Sequence, residues 1–202
     1  MNRRRLMALK ESGGSVGLPD GFTAVEYIQT SGEQWIDTGY KYGVSSDIEV
    51  KFDISTGGTL LGAQDTNDRK YKFAVALSGN SLWIIRNVSA VFDISGMTKP
   101  LILKNTGDLF KLTDNTGIEK REWADTTGYI GSQLSLYLFA RHDPTGATNM
   151  NKSLIYYCRF YENGELVCDM RPCLDADGVP CMYDLIRQRT LYNQGKGSFT
   201  WG

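Results

Sequence analysis

Histidine is almost absent from this 202-residue sequence, with His142 the single instance, and cysteine is confined to its last quarter. Cys158, Cys168, Cys173 and Cys181 form no Cys-x-x-Cys pair and lie far in sequence from His142, a spacing that argues against zinc. No apolar run approaches the ~20 residues needed to span a bilayer, so no membrane span is expected. Charge of neither sign prevails: 22 basic and 23 acidic residues leave a net charge of −1. No global field therefore draws nucleic acid or an anionic membrane. A phosphate-binding loop is also missing, because Gly195-Lys196-Gly197 reads as a turn. The apolar stretch behind Arg3-Arg4-Arg5 is too short for a signal peptide and ends at Lys10-Glu11. The protein is thus expected to be made in a cytosol and to leave it only by lysis or inside a particle. In that setting the sequons at Asn87 and Asn151 carry no glycan.

What is present points to strands. There are 22 glycines, 11 tyrosines, 8 phenylalanines and 4 tryptophans, and a hydrophobic fraction of 41% supports a core without staples. Ile48 to Ile54 alternates, with four apolar residues on one face and Glu49, Lys51 and Asp53 on the other, as in a half-buried antiparallel strand. Tyr71, Phe73, Val75 and Leu77 make the next apolar face. Strands are also expected over 82–88, 101–104, 109–113, 154–161 and 165–170, separated by turn signals. Leu134 to Ala140 is apolar on both sides and predicts a central strand; Tyr183 to Gln188 predicts a short helical turn. Short strands without a long amphipathic helix mean a sandwich or barrel.

Cys158 and Cys168 flank Glu162-Asn163-Gly164. A three-residue loop would set them opposite each other, and a two-residue loop would set them on opposite faces. Buried reduced thiols are the simpler reading for all four cysteines. Residues 1–17 read as a basic N-terminal arm and linker, with Arg3, Arg4, Arg5, Leu6, Met7 and Leu9 as a docking segment for another chain.

The run from Leu18-Pro19-Asp20-Gly21-Phe22 through Glu26-Tyr27-Ile28 to Trp35-Ile36-Asp37-Thr38-Gly39 resembles the first strands of concanavalin A-like (laminin-G-like) jelly rolls. Such domains occur in bacteriophage structural proteins and gut-bacterial surface proteins. Tyr156 to Val167, Arg171-Pro172-Cys173, Met182-Tyr183-Asp184 and Tyr192-Asn193-Gln194-Gly195 resemble the family's closing segment. The resemblance spans 18–202 and implies an all-β, antiparallel two-sheet jelly-roll sandwich behind the N-terminal arm. It also implies that the first and last segments run as neighbours. It is specific for fold and weak for function, since this fold carries lectins, glycosidases, adhesins and inert virion decorations.

Each chemical reading has a bland competitor. Asp47, Glu49 and Asp53 share one strand, but Glu49 and Asp53 stand ~13 Å apart, beyond the ~5–9.5 Å at which paired carboxylates work. Asp47 and Glu49, roughly 7 Å apart, share their face with Lys51, as on a solvated surface. His142-Asp143 offers a base but no nucleophile elbow, and Asp143-Pro144 reads as the start of a turn. Asp65, Asn67 and Asp68 supply oxygens for calcium without EF-hand spacing; no cofactor is otherwise expected. Sugar recognition needs aromatic platforms beside hydrogen-bonding groups. Trp83, Arg86, Asn87, Trp123, Tyr129, Arg141, His142 and Asp143 supply these, against a reading in which Trp83 is core and Trp123 caps an edge.

The expected function is a non-catalytic structural or binding module of a bacteriophage virion, attached through its arm to other virion chains and contacting host cell-surface glycans. The alternatives are a lectin-like domain on a bacterial surface and, more weakly, a glycoside hydrolase.

Overall fold

Alternation along the chain becomes a division between core and solvent. Ile48, Val50, Phe52 and Ile54 are fully buried, while Glu49, Lys51 and Asp53 point the other way. Each such buried side chain contributes about 1.5–3 kcal/mol. The computed structural model describes residues 17–124 and 127–202. Arg3, Arg4, Arg5, Leu6, Met7 and Leu9, on which the docking expectation rests, lie outside the described residues.

The strands are β1 (Thr23–Ala24), β2 (Ile28–Gln29), β3 (Ile36–Asp37), β4 (Ser46–Ile54), β5 (Gly58–Gln64), β6 (Lys72–Ser78), β7 (Ser81–Ile85), β8 (Ala90–Asp93), β9 (Leu101–Thr106) and β10 (Leu109–Thr113). They continue as β11 (Glu119–Trp123), β12 (Tyr137–Leu138), β13 (Arg141–Asp143), β14 (Gly146–Thr148), β15 (Ser153–Glu162), β16 (Glu165–Leu174), β17 (Pro180–Asp184), β18 (Arg189–Leu191) and β19 (Thr200–Trp201). A 3-10 turn at Arg69–Tyr71 is the one helical element among the described residues, and no helix there is long and apolar enough to cross a membrane.

The larger sheet runs β11-β10-β9-β4-β15-β16-β17-β18, with β1, β2 and β19 at its side. The smaller sheet runs β14-β13-β5-β6-β7-β8, with β12 and β3 attached. Pairing is antiparallel except between β13 and β5. The protein is an all-β sandwich: Val50, Phe52, Phe160 and Met170 of the larger sheet share one core with Phe73, Val75, Leu82 and Ile84 of the smaller. β19 pairs with β2, Thr200 opposite Gln29, so the first and last segments do run as neighbours.

The hairpin between β15 and β16 turns on Asn163 and Gly164, both at positive φ (50° and 78°), as a two-residue loop requires. A bulge at Phe160/Tyr161 then shifts the register, so Cys168 faces Phe160 and Cys158 faces Met170. Both thiols consequently point into the core without facing each other. Cys173 does face Cys181 across β16 and β17, with Sγ atoms 3.5 Å apart, and all four cysteines are free and buried.

Two expectations need correction. The segment 134–140, expected as one central strand, is partly buried at Leu134 and Ser135 and fully or almost fully buried over 136–140, but only Tyr137–Leu138 is strand. Phe139 takes a φ of 67° and donates its N–H to Leu60 O (2.6 Å), turning the chain so that β13 can run parallel to β5. Residues 183–188 are the end of β17 and a turn, because Tyr183 pairs with Arg171 and Thr190.

Candidate binding face on the smaller sheet

The pleat of β6 sends Phe73, Val75 and Leu77 into the core and Lys72, Ala74, Ala76 and Ser78 outward. Register places Ala74 between Gly62 and Ile85, and Ala76 between Thr59 and Trp83. The middle of this outer face is therefore a floor lined by small residues, covered at Gly62 and Ala74 and partly open at Ala76. Gly62 is required there: a Cβ would lie 2.8 Å from the Ala74 methyl carbon. Trp83 rises at one side and is 38% exposed. With Ile85, Ala76, Ser78, Gly58 and Asn149 it lines an open cleft of about 540 Å³. Asn149 is fixed by donating its amide to Thr59 Oγ1 at 2.8 Å.

On the far side of the floor stands the β13–β14 hairpin. Arg141 is paired with Gly62 in register and grips Asp143 with two parallel bonds of 2.7 and 2.8 Å. Thr148 donates its hydroxyl to the same carboxylate at 2.6 Å. Burial pushes the Asp143 carboxyl up, but the Arg141 and Thr148 bonds and the Arg141 charge outweigh it, leaving the group below its ordinary range. Lys72 lies beside this pair. Its ammonium makes no ion pair among the described residues, and burial, then the Arg141 charge, hold its pKa below the ordinary lysine value.

Of the residues singled out in the sequence as sugar contacts, Trp83, Arg141 and Asp143 thus share one face. The others are dispersed. Arg86 is 1% exposed; it donates to Gly107 O and pairs with Asp108 at 2.9 Å, with its guanidinium over Phe110 and Tyr129. Tyr129 is 5% exposed and donates its hydroxyl to Tyr42 O. Asn87 donates to Thr127 O, tying down a loop. Trp123 stands 68% exposed on the edge strand β11, opposite Leu109.

His142 lies on the other side of β13 from Arg141 and Asp143, stacked on Tyr137 with centroids 3.8 Å apart; Tyr137 in turn stacks on Trp35 at 4.2 Å. Both faces of Tyr137 are therefore used within the fold. His142 Nδ1 sits 2.9 Å from Ser135 O, which only accepts, so Nδ1 carries the proton. It is consequently not available to take a proton from Ser135 Oγ, 3.4 Å away.

The carboxylates of β4 are likewise engaged on the outer face of the larger sheet. Asp47 accepts from Asn105 (2.7 Å) and Gly107 N (2.9 Å), and Asp53 pairs with Lys99 at 2.8 Å. Glu49, 9% exposed, is held by Lys104 Nζ at 3.0 Å, Arg159 Nη1 at 3.0 Å and the Tyr157 hydroxyl at 3.0 Å. Burial raises the Glu49 pKa, but the Lys104 ammonium above all, then Tyr157 and Arg159, bring it below the usual value. The row continues in register: Lys104 opposite Glu49, Glu49 opposite Arg159, Arg159 opposite Asp169. Arg171 closes it at 2.7 Å from Asp169, and the Tyr157 ring lies between the Arg159 and Arg171 guanidiniums at 4.9 and 5.1 Å.

The three side chains considered for calcium are each engaged within the fold, Asp65 by a distant segment and Asn67 and Asp68 by their own turn. Asp65 accepts from Ser132 Oγ, Gln133 N (2.7 Å) and Leu134 N (3.2 Å); Asn67 accepts from Gln64; Asp68 caps the 3-10 turn through Lys70 N. Among the described residues no cluster of three or more metal-ligating side chains occurs.

The small-residue floor, Thr148, Asn149 and Lys72 were missed in the sequence. A signal existed in Lys72-x-Ala74-x-Ala76-x-Ser78: the face opposite the apolar one carries small residues where a solvated strand would carry long polar ones. No protein-family model matches the chain, and no curated protein matches it. Geometry carries the functional argument.

Proposed function

We propose that the chain is a concanavalin A-like (laminin-G-like) jelly-roll module that binds carbohydrate without transforming it, through the outer face of the smaller sheet. The observation that carries this reading is the exposed Trp83 beside a floor reduced to glycine and alanine, with Asn149 on its margin and the Arg141–Asp143 pair beyond it. An indole face covers the apolar face of a sugar ring, small floor residues let the ring approach the sheet, and the amide and charged groups bond its hydroxyls. The non-catalytic part rests on β4 carboxylates occupied by cations and donors, and on a His142 whose Nδ1 is a fixed donor. Placement on a bacteriophage particle, through the basic segment containing Arg3, Arg4 and Arg5, follows from the family resemblance. A bacterial-surface lectin would use the same face.

The test is a broad glycan array followed by titration calorimetry on each hit. Wild type is expected to bind, and Trp83→Ala to weaken binding at least tenfold, about 1.4 kcal/mol. An array with no bound glycan, or hits indifferent to Trp83→Ala, contradicts the proposal. Turnover of any bound polysaccharide contradicts its non-catalytic part.

A further inference from the structure

We propose that the ligand of this face is an anionic oligosaccharide, whose acidic group is bound by Lys72 while a sugar ring packs on Trp83. The inference rests on the carbohydrate reading above and adds the ligand's charge and extent.

Charge comes first. Arg141 is committed to Asp143 by two parallel bonds, and Thr148 takes a further lone pair of that carboxylate. Lys72 is left over. The charges acting on it are those of Arg141 and Arg69, both cationic, and of Asp143, already shared with Arg141. Three cations, Lys72, Arg141 and Arg69, thus share the one carboxylate of Asp143, and Lys72 is half-buried, where an unneutralised ammonium is costly. The other acids of the neighbouring loop, Asp65 and Asp68, are spent on backbone N–H groups. An incoming anion relieves this imbalance. On the opposite sheet Lys104 is neutralised by Glu49 at 3.0 Å, and Lys51, which has no ion pair among the described residues, lies over the Tyr156 ring at 4.9 Å.

Extent follows from register. Lys72 and Ala76 lie on the same face of β6 four residues apart, about 13 Å along the strand. Trp83 is opposite Ala76, and between the two ends lie only Ala74, Gly62 and Ile85 with Arg141 alongside. This span exceeds one ring. Gly62 and Ala74 between the two ends are themselves covered, Ala74 to 1% exposure, so a chain of sugars that reaches from the indole to the ammonium passes above them.

Two sources of negative charge share this chemistry, a uronate carboxylate and a sulfate ester, and the assay separates them. Full-length protein is applied to an array of neutral, carboxylated and sulfated oligosaccharides, with Lys72→Met, Lys72→Arg and Trp83→Ala in parallel. Thermal midpoints confirm that each variant is folded. Wild type is expected to prefer an acidic class at least tenfold over neutral glycans. Lys72→Met abolishes that preference, Lys72→Arg retains it, and Trp83→Ala weakens every hit. Equal binding of neutral and acidic glycans, or a Lys72→Met variant that keeps the preference, overturns the anionic inference while leaving the carbohydrate reading intact. Absence of glycan binding, or hits unaffected by Trp83→Ala, overturns both.

Discussion

The outer faces of the two sheets are built on opposite plans. On the larger sheet, Lys104, Glu49, Arg159 and Asp169 sit in cross-strand register with alternating sign, and each charge meets its complement within 3.3 Å. On the smaller sheet the corresponding surface is glycine and alanine, flanked by an exposed indole and a cation without an ion pair among the described residues. One face is finished by its own side chains. The other, on the proposed function, is completed by a ligand. The same pleated geometry thus gives a charge-paired surface where neighbours are long and complementary, and a low, unpaired one where they are short.

This difference is open to mutation. The largest expected effect is on the finished face: Glu49→Ala strands Lys104, leaves Arg159 with Asp169 alone, and is expected to cost about 2–3 kcal/mol, somewhat less than breaking a fully buried pair, read as a lower urea midpoint. Next, Trp83→Ala on the smaller sheet is expected to cost only about 1 kcal/mol, because the ring is already partly in water. A reversed order of these two would erase the distinction. Smaller still, Ala76→Leu fills the floor beside Trp83 and is expected to change stability by no more than about 0.5 kcal/mol while blocking ligand. Retained binding in that variant would place the ligand elsewhere.

Acid titration sharpens the contrast on the finished side. The folded Glu49 pKa lies below its ordinary 4.5. Its contribution is therefore fully present above that value and is lost as pH falls through the depressed folded pKa. The stability gap between wild type and Glu49→Gln is expected to be constant near neutrality and to close progressively below about pH 4.5. A gap that persists unchanged at low pH would mean that Glu49 acts through packing and not through charge.

The sequence carried the strands better than the site. Alternation at Ile48–Ile54 and at Phe73–Leu77 located β4 and β6 because one face is apolar and the other is not. At Leu82-Trp83-Ile84-Ile85 that signal fails, since every position is apolar, and whether Trp83 faced core or solvent was decided only by pairing with Ala76. Arg86 looked like a surface contact because arginine is rarely buried. It is buried because Asp108, 22 positions away, and two aromatic rings converge on it. Residues 134–140 read as a strand because an apolar run looks the same whether or not the backbone continues straight. The stack of Trp35, Tyr137 and His142 joins segments about a hundred positions apart, which no local pattern reports.

The most direct test of the central claim is a map of backbone amide chemical-shift changes as the best array ligand is titrated into the intact protein. The account predicts changes concentrated in residues 58–64, 72–85 and 141–149, with β4, β9, β15 and β16 unmoved. Changes centred on Glu49, Arg159 and Asp169 instead would contradict it.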